Sequence, residues 1–391
     1  MRKHKGSPRI RRNVWMGAIC LFMTLQLIAM PLMPVATDTF SAQAETKKGS
    51  MASPVVAAYV YDKGNLKLRD ADAAYITQMN YSFALIKDGK VSGDHWQSIG
   101  TFKSYIKKHP NILPVLSVGG WGADGFSQAA ASSKGRAVFV SSAVSLMEAH
   151  GFLGIDIDWE YPGFSTAGIK SSKNDPENFL LLLKEMRAAL NEKTNQDGKK
   201  RYLSIAVGGS KEYADKLDCP ALGAILDQVN VMTYDLRGFE KITGHHTSLY
   251  PQNGDKSKIS AATAVEAYAK AGIPKGKLVM GAAFYGRAWR NVNSKGNNGL
   301  GKTAGTSGNK SYGYSSILNF IKSGEYTRYW DDYAMAPYLF NGSTFISYED
   351  TESIAAKGKY AMEVGLMGVM FWEYSQDSTG ALVKALSTAM N

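Results

Sequence analysis

The chain of 391 residues carries 45 Lys and Arg side chains against 34 Asp and Glu, for a net charge of +11. The first 44 residues hold six of the basic side chains and one acid, so 39 basic and 33 acidic side chains follow. No Lys/Arg block is dense enough to indicate nucleic-acid binding. Beyond residue 44 there is one cysteine, Cys219, which excludes an intramolecular disulfide and a cysteine-based metal site there.

The first 44 residues predict a secretory signal peptide. An apolar run from Val14 to about Ala36 follows the basic stretch 2–12, and Ala42-Gln43-Ala44 provides a small-residue cleavage site after Ala44. The alternative is an uncleaved membrane anchor. Pro31 and Pro34 interrupt the apolar run, which favours cleavage. We therefore expect a secreted, extracellular protein without stable membrane association after cleavage.

Eight short apolar segments alternate with helical patterns along the rest of the chain. They lie at 55–61, 80–86, 112–118, 153–159, 202–207, 228–234, 278–284 and 366–372. Val55-Val56-Ala57-Ala58 is apolar on both faces, as in a parallel strand covered by helices. One helix is predicted to begin with Asp175 as N-cap and Pro176 in its first turn. This alternation predicts an α/β fold, a (β/α)8 TIM barrel, although strand counting leaves an open doubly wound sheet possible.

A long stretch separates the seventh predicted strand from the eighth. It is rich in Gly, Ser and Asn at first and in aromatic residues later, and so long a connection in a compact domain is usually functional or a small domain. We therefore predict an inserted α+β domain at 291–361. The catalytic barrel would then comprise 45–290 and 362–391, after a signal peptide at 1–44.

The fourth predicted strand carries three carboxylates at alternate positions. Asp156, Asp158 and Glu160 project to one face, while the intervening residues Ile155, Ile157 and Trp159 project to the other. The acidic face must be the barrel interior, because the apolar face belongs against the helices. A solvated strand edge could carry such a triplet, but not flanked by Ile and Trp. Buried carboxylates this close titrate together and keep one proton near neutral pH. Glu160, nearest the open end, is the predicted general acid.

Two other motifs indicate no cofactor. The segment 296–303 matches the phosphate-binding pattern G-x-x-x-x-G-K-[ST], but no strand precedes it and the Gly-rich segment 304–308 after it cannot begin a helix. His245 and His246 lie in a polar loop without visible partner ligands. We predict neither a cofactor nor a metal ion.

Several motifs lie in order at the ends of predicted strands. They are Ser117-Val118-Gly119-Gly120 with Trp121, the acidic strand, Met232-Thr233-Tyr234-Asp235, Tyr285-Gly286-Arg287, and Trp372. This set resembles glycoside hydrolase family 18 chitinases of the bacterial type, which have an inserted α+β domain. The first Asp of the family signature Asp-x-x-Asp-x-Asp-x-Glu is Leu153 here. Strand parity places Leu153 on the helix-facing side, where an apolar residue is reasonable.

The resemblance implies catalytic roles. Glu160 would protonate the glycosidic oxygen and later activate water. Asp158 would bind the acetamido N–H of the sugar, and Asp156 would hold a shared proton. Tyr234 would hydrogen-bond the acetamido oxygen, which is itself the nucleophile in this family.

The resemblance also implies a substrate-binding surface. Its predicted members are Tyr59, Phe83, Ser117, Trp121, Met232, Asp235, Tyr285, Arg287, Trp330 and Trp372. Tyr59 and Ser117 would be polar neighbours of Asp156, and Trp372 would lie beneath the sugar ring. For each aromatic residue the alternative is plain core packing.

The implied function is retaining hydrolysis of β-1,4-linked N-acetylglucosamine in chitin or chito-oligosaccharides, by a monomer. A related N-acetylglucosaminidase acting on peptidoglycan or glycans is the alternative enzyme. A catalytically inactive chitin-binding lectin is the alternative from another class, and the presence of Glu160 disfavours it.

Overall fold

The computed structural model describes residues 53–293 and 298–391. The predicted signal peptide at 1–44 and the first two residues of the phosphate-loop-like segment, Gly296 and Asn297, lie outside the described residues. Within them, no helix combines the length and the apolar character needed to cross a membrane.

Strands and helices alternate through most of the described chain. The strands are β1 (Val55–Tyr61), β2 (Gln78–Lys87), β3 (Lys90–Ser92), β4 (Leu113–Gly119), β5 (Gly154–Asp158), β6 (Tyr202–Gly208), β7 (Gln228–Met232), β8 (Leu278–Ala283), β9 (Tyr285–Trp289), β10 (Lys310–Gly313), β11 (Thr327–Asp331), β12 (Ala336–Phe340), β13 (Phe345–Ser347) and β14 (Gly368–Trp372). The helices are α1 (Ile99–Lys108), α2 (Phe126–Ala130), α3 (Ser133–His150), α4 (Asp175–Asp197), α5 (Lys211–Lys216), α6 (Cys219–Ile225), α7 (Ala261–Ala271), α8 (Tyr314–Ser323), α9 (Thr351–Glu363) and α10 (Ala381–Met390).

Eight parallel strands close into a barrel. Their order is β1-β14-β8-β7-β6-β5-β4-β2, and the pairing of β1 with β2 completes the ring. Closure excludes the open doubly wound sheet and confirms the predicted (β/α)8 TIM barrel. All eight strand predictions coincide with barrel strands. The short β3 is antiparallel and extends β2 as a hairpin.

The two faces of β5 have different surroundings. Ile155, Ile157 and Trp159 pack in the main apolar core between strands and helices. Trp159 stacks on Phe126 with ring centroids 5.3 Å apart. The opposite side of the strand faces the barrel interior, where Asp156 pairs in register with serines of both neighbouring strands. A polar layer therefore crosses the inside of the barrel at this height.

The start of α4 differs from the prediction. Asn174 precedes the helix and Asp175 is its first residue, so Asp175 is not the N-cap. Its carboxylate is completely buried and accepts hydrogen bonds from the Ser127 hydroxyl at 2.7 Å and the Ser172 amide at 2.7 Å. Asp175 thus ties the loop before α4 to α2, which explains an acidic residue at this position.

A second, antiparallel sheet lies between barrel strands β8 and β14. Its order is β10-β9-β13-β12-β11, and α8 packs on β9 and β10. An insertion between the seventh and eighth barrel strands is therefore present. The sheet begins at Tyr285, before the predicted range 291–361, because β9 follows β8 after the single residue Phe284. Helix α9 packs against β8, β14 and α10 of the barrel. We therefore propose 285–348 as the insertion.

Candidate active site

The three carboxylates of the acidic strand lie in the barrel interior, at increasing depth from its open end. Glu160 is 9% exposed, Asp158 is 4% exposed and Asp156 is fully buried. Glu160 lies just beyond the last residue of β5, at the carboxyl end of the parallel strands. In barrels of this architecture that end carries the reactive groups. Glu160 is therefore the most exposed of the three carboxyl groups and the nearest to the open end.

Asp156 accepts four hydrogen bonds from four different strands. Its Oδ2 accepts from the Tyr59 hydroxyl at 2.9 Å and the Ser117 hydroxyl at 2.7 Å. Its Oδ1 accepts from the Ser204 hydroxyl at 2.6 Å and the Asn230 amide at 3.1 Å. Burial raises the pKa of Asp156, and these four hydrogen bonds act in the opposite direction. A carboxylate that only accepts hydrogen bonds is suited to the ionised state.

Asp158 and Glu160 have raised pKa values. Burial, followed by the charges of Glu160 and Asp156, raises the pKa of Asp158 well above its ordinary range. The Oδ1 atom of Asp158 is buried and has no hydrogen-bond partner within the described residues. Burial also raises the pKa of Glu160 to about 7, opposed by a hydrogen bond from Tyr161 and helped by the charge of Asp235. The set thus holds protons near neutral pH, as general acid catalysis requires.

Tyr234 and Asp235 follow the end of β7. The Arg287 guanidinium binds the Asp235 carboxylate through two hydrogen bonds, of 2.6 Å from Nε and 2.5 Å from Nη2. Hydrogen bonds from His246 and Arg287 hold the pKa of Asp235 well below its ordinary range despite burial. The Tyr234 ring lies edge-on to Tyr285 at 6.2 Å. Asp235 is therefore a fixed negative charge beside the titrating carboxyl groups.

Aromatic rings line another part of the barrel mouth. Trp372, at the end of β14, stacks on Phe83 with centroids 5.5 Å apart and planes at 21°. Tyr59 and Tyr61 lie 5.9 and 5.7 Å from the same indole ring. Met232 and Met370 pack with Tyr59 in the interior apolar cluster. Together these aromatic rings offer a flat apolar surface next to the carboxyl groups.

Two other predicted substrate-binding tryptophans lie outside the barrel strands. Trp121 follows β4 and is 62% exposed. In the antiparallel sheet, Arg287 of β9 pairs with Ser347 of β13, which pairs with Tyr338 of β12, so these three side chains share one face. Trp330 of β11 pairs with Pro337, the residue next to Tyr338 in β12. Because neighbouring residues of a strand point to opposite faces, Trp330 lies on the opposite face of the sheet from Arg287. The prediction that Trp330 lines the cleft is therefore not supported by this geometry.

The structure brings in residues that the sequence analysis did not select. Tyr61 lies two residues after Tyr59 in β1, and the two-residue period of a strand could have identified it. Ser204 and Asn230 are polar residues at interior positions of β6 and β7, a signal of the same kind. Phe239 is 71% exposed with its ring 5.9 Å from the Arg287 guanidinium, in a loop without a sequence period. Within 53–293 and 298–391, no group of three or more His, Cys, Asp or Glu side chains is arranged to hold a metal ion.

Comparison with known proteins agrees with this geometry. The sequence profile of glycosyl hydrolases family 18 matches residues 55–377. Chitinase A1 of Niallia circulans is 36% identical over 327 residues, which are 77% of this chain and 46% of that protein, so the chain spans about half of this relative. A family 18 N-acetylglucosaminidase from Paenibacillus barengoltzii superposes with a TM-score of 0.83 at 40% identity, over 86% of this chain and 99% of that one.

A class V chitinase from Nicotiana tobaccum in complex with NAG4 superposes with a TM-score of 0.78 at 28% identity, over 86% of this chain and 99% of that one. These matches confirm the resemblance found in the sequence, including the enzymatic class of glycoside hydrolase. The chain belongs to family 18 of the glycosyl hydrolases.

Proposed function

We propose that this enzyme hydrolyses β-1,4-linked N-acetylglucosamine polymers, with chitin or chito-oligosaccharides as substrate and with retention of configuration. The observation that carries the proposal is the line of three interior carboxyl groups in which Glu160, the outermost, has a pKa of about 7. Such a group is protonated often enough at neutral pH to donate a proton and is ionised often enough to accept one later. The similarity of the chain to proteins named chitinases supports the choice of substrate.

The nucleophile is the acetamido oxygen of the substrate. A retaining mechanism in which the enzyme supplies the nucleophile needs a second carboxylate about 5–5.5 Å from the acid, on the other side of the sugar ring. Asp156 and Asp158 are on the same strand as Glu160. Asp235 is on another strand end, but two hydrogen bonds from Arg287 occupy its oxygens. A carboxylate tied in this way is a poor nucleophile, which favours attack by the neighbouring acetamido carbonyl.

In the first step, Glu160 transfers its proton to the glycosidic oxygen as the bond from that oxygen to the anomeric carbon breaks. The acetamido carbonyl oxygen forms a new bond to the anomeric carbon and gives a cyclic oxazolinium ion. Asp158 accepts a hydrogen bond from the acetamido N–H and stabilises the positive charge, while Tyr234 donates to the acetamido oxygen. Trp372 supports the apolar face of the sugar.

In the second step, the ionised Glu160 removes a proton from a water molecule. The water oxygen attacks the anomeric carbon from the side that the leaving sugar vacated. The ring of the oxazolinium ion opens and the acetamido group is restored. Two inversions give net retention, and Glu160 returns to its protonated state.

The test uses Glu160→Gln and Asp158→Asn on chitin oligomers. We expect both variants to bind oligomers and to lose at least about 10²-fold in kcat. For Glu160→Gln this is the usual contribution of general acid catalysis. For Asp158→Asn the loss follows because the acetamido group is no longer oriented. A thiazoline mimic of the oxazolinium ion should inhibit the wild type. Near-wild-type hydrolysis by Glu160→Gln would refute the role of Glu160. A covalent glycosyl-enzyme trapped on an Asp or Glu would refute the substrate-assisted mechanism.

An N-acetylglucosaminidase is the second candidate, since the Paenibacillus barengoltzii protein of that name is 40% identical. Parallel assays on chitin, chito-oligosaccharides and peptidoglycan separate the two. Release of single sugars from short oligomers, without cleavage of the polymer, would favour this second function. Secretion and a monomeric state are also part of our proposal, supported by the signal-like sequence at 1–44 and by the closed, self-contained barrel.

A further inference from the structure

A buried imidazole lies beside Asp235 and has no part in the mechanism above. His246 is completely buried in the loop that follows β7. Its Nδ1 lies 3.4 Å from the Asp235 amide nitrogen and 3.5 Å from the Asp235 Oδ1. The His246 carbonyl also accepts a hydrogen bond from the Leu236 amide at 3.0 Å. His246 is thus attached to the backbone on both sides of the Asp235 side chain.

The backbone at Asp235 needs such support. Its φ angle is 55°, in the left-handed region that residues with a Cβ rarely adopt. A residue in this conformation persists when its surroundings hold it there. The adjacent Thr247 hydroxyl donates to the Thr233 carbonyl at 3.0 Å, so the loop also holds the chain on the other side of Tyr234. The segment that presents Tyr234 and Asp235 is therefore fixed from behind by residues 246 and 247.

Three charged groups act on His246, and they come from different parts of the chain. Asp235 lies after β7 and Arg287 is in β9, while Glu349 precedes α9 and forms a buried ion pair of 2.7 Å with Lys357 of that helix. Burial, helped by the charge of Arg287, lowers the pKa of His246, while Asp235 and Glu349 oppose this. The ring of Tyr285 also packs against the imidazole, with ring centroids 5.1 Å apart.

These surroundings favour the neutral imidazole. The Nδ1 atom contacts Asp235 in either neutral tautomer: with the proton on Nε2 it accepts from the Asp235 amide, and with the proton on Nδ1 it donates to the Asp235 carboxylate. The Nε2 atom has no partner within the described residues. A buried polar atom without a partner is unfavourable, so the contact at Nδ1 must be the reason for a histidine here rather than an apolar residue.

We propose that His246 is a positioning residue for the hydrolysis: its neutral imidazole fixes the turn at Asp235 and so places Tyr234 and Asp235 against the sugar that Glu160 protonates. This inference rests on the proposed function, because the placement matters only if a sugar is cleaved there. His246 itself does not touch the substrate. Its effect passes through the Asp235 backbone.

Three variants separate this role from simple packing. In His246→Asn the side-chain amide takes the place of Nδ1 and can accept from the Asp235 amide or donate to the Asp235 carboxylate. In His246→Gln the longer side chain places its amide near the position of Nε2, and His246→Leu has no polar group. We expect the Gln and Leu variants to lose about 10- to 100-fold in kcat on a chromogenic chitobiose or chitotriose substrate, with a much smaller change in KM, because small misplacements have effects of that size. The Asn variant should stay within about threefold of the wild type.

A second measurement is insensitive to general loss of stability. The negative charge of Asp235 raises the pKa of Glu160. A displaced Asp235 should therefore move the alkaline limb of the kcat/KM profile to lower pH in the Leu and Gln variants, but not in the Asn variant. Circular dichroism verifies folding, and if His246→Leu does not fold, the comparison of His246→Asn with His246→Gln decides.

Two results would overturn the inference. One is His246→Leu or His246→Gln with wild-type kcat and an unchanged pH profile. The other is His246→Asn as slow as His246→Gln. If the wild type cleaves no N-acetylglucosamine oligomer, the proposed function fails and the role of His246 fails with it. If the wild type is active while all variants match it, only the role of His246 fails.

Discussion

Replacing Glu160 by glutamine should stabilise the protein while it strongly reduces catalysis. The buried carboxyl group has its pKa raised from an ordinary value of 4.5 to about 7, chiefly by burial. The unfolded chain releases this proton more readily than the folded one, so ionisation favours unfolding. The unfavourable contribution is absent below pH 4.5, grows as the pH rises to about 7, and stays constant above it. The amide side chain in Glu160→Gln is neutral throughout this range, so the variant lacks the unfavourable contribution.

The size of the effect follows from the pKa. A difference of about 2.5 pKa units, at 1.36 kcal/mol each, gives about 3 kcal/mol above pH 7. Easier ionisation of Asp158 in the variant adds to this, because Glu160 is one of the charges that raise the pKa of Asp158. With an unfolding entropy of about 2 cal/mol/K per residue over residues 53–391, 3 kcal/mol corresponds to about 4 °C in Tm.

The assay is thermal unfolding of the wild type and Glu160→Gln between pH 4 and pH 8, followed by circular dichroism. The control is Glu325→Gln, since Glu325 is exposed and replacement there should leave Tm unchanged at every pH. A Tm difference for Glu160→Gln that is equal at pH 4 and pH 8 would show that packing, not ionisation, causes it. An unchanged or lower Tm at pH 8 would refute the raised pKa as a property of the fold.

Two further predictions concern charges near the site. Asp235→Asn removes a charge that raises the pKa of Glu160, so the alkaline limb of the pH profile of kcat/KM should move below pH 7. An alkaline limb that stays in place or moves to higher pH would contradict this. Lys357→Met breaks the fully buried pair with Glu349 and should lower the free energy of unfolding by about 3–5 kcal/mol in urea titrations. Lys211→Met breaks an exposed pair with Asp215 and should change it by less than about 1 kcal/mol, so equal losses in both variants would contradict the reasoning.

Much of the barrel could be predicted because its signals are local. Each barrel strand is a short apolar run, and the alternation of Asp156, Asp158 and Glu160 with apolar residues fixes which side faces the interior. The start of α4 is harder to place, since Asn174 and Asp175 are both typical cap residues and only the contacts of Asp175 with Ser127 and Ser172 distinguish them.

The rest depends on contacts between distant parts of the chain. Thr247 and Lys357 are 110 residues apart in sequence yet hydrogen-bonded at 2.7 Å, and no period in the sequence links them. The side on which Trp330 lies depends on the register of β11 with β12, which an irregular, aromatic-rich segment does not reveal. His246 could be recognised as one of a histidine pair, but its contact with Asp235 required the path of the loop.

The direct passage from β8 through Phe284 into β9 has a consequence for redesigning substrate range. Strand β9 carries Arg287, which holds Asp235, and β13 carries Ser347, whose hydroxyl accepts a hydrogen bond from the His246 amide at 2.9 Å. These two strands hold residues of the candidate active site in place. By contrast, β10, β11 and β12 lie on their outer sides in the sheet, and α8 packs on β9 and β10. Segments grafted from other proteins to alter the length of the cleft should therefore be joined after Trp289 and before Phe345, leaving the two inner strands intact.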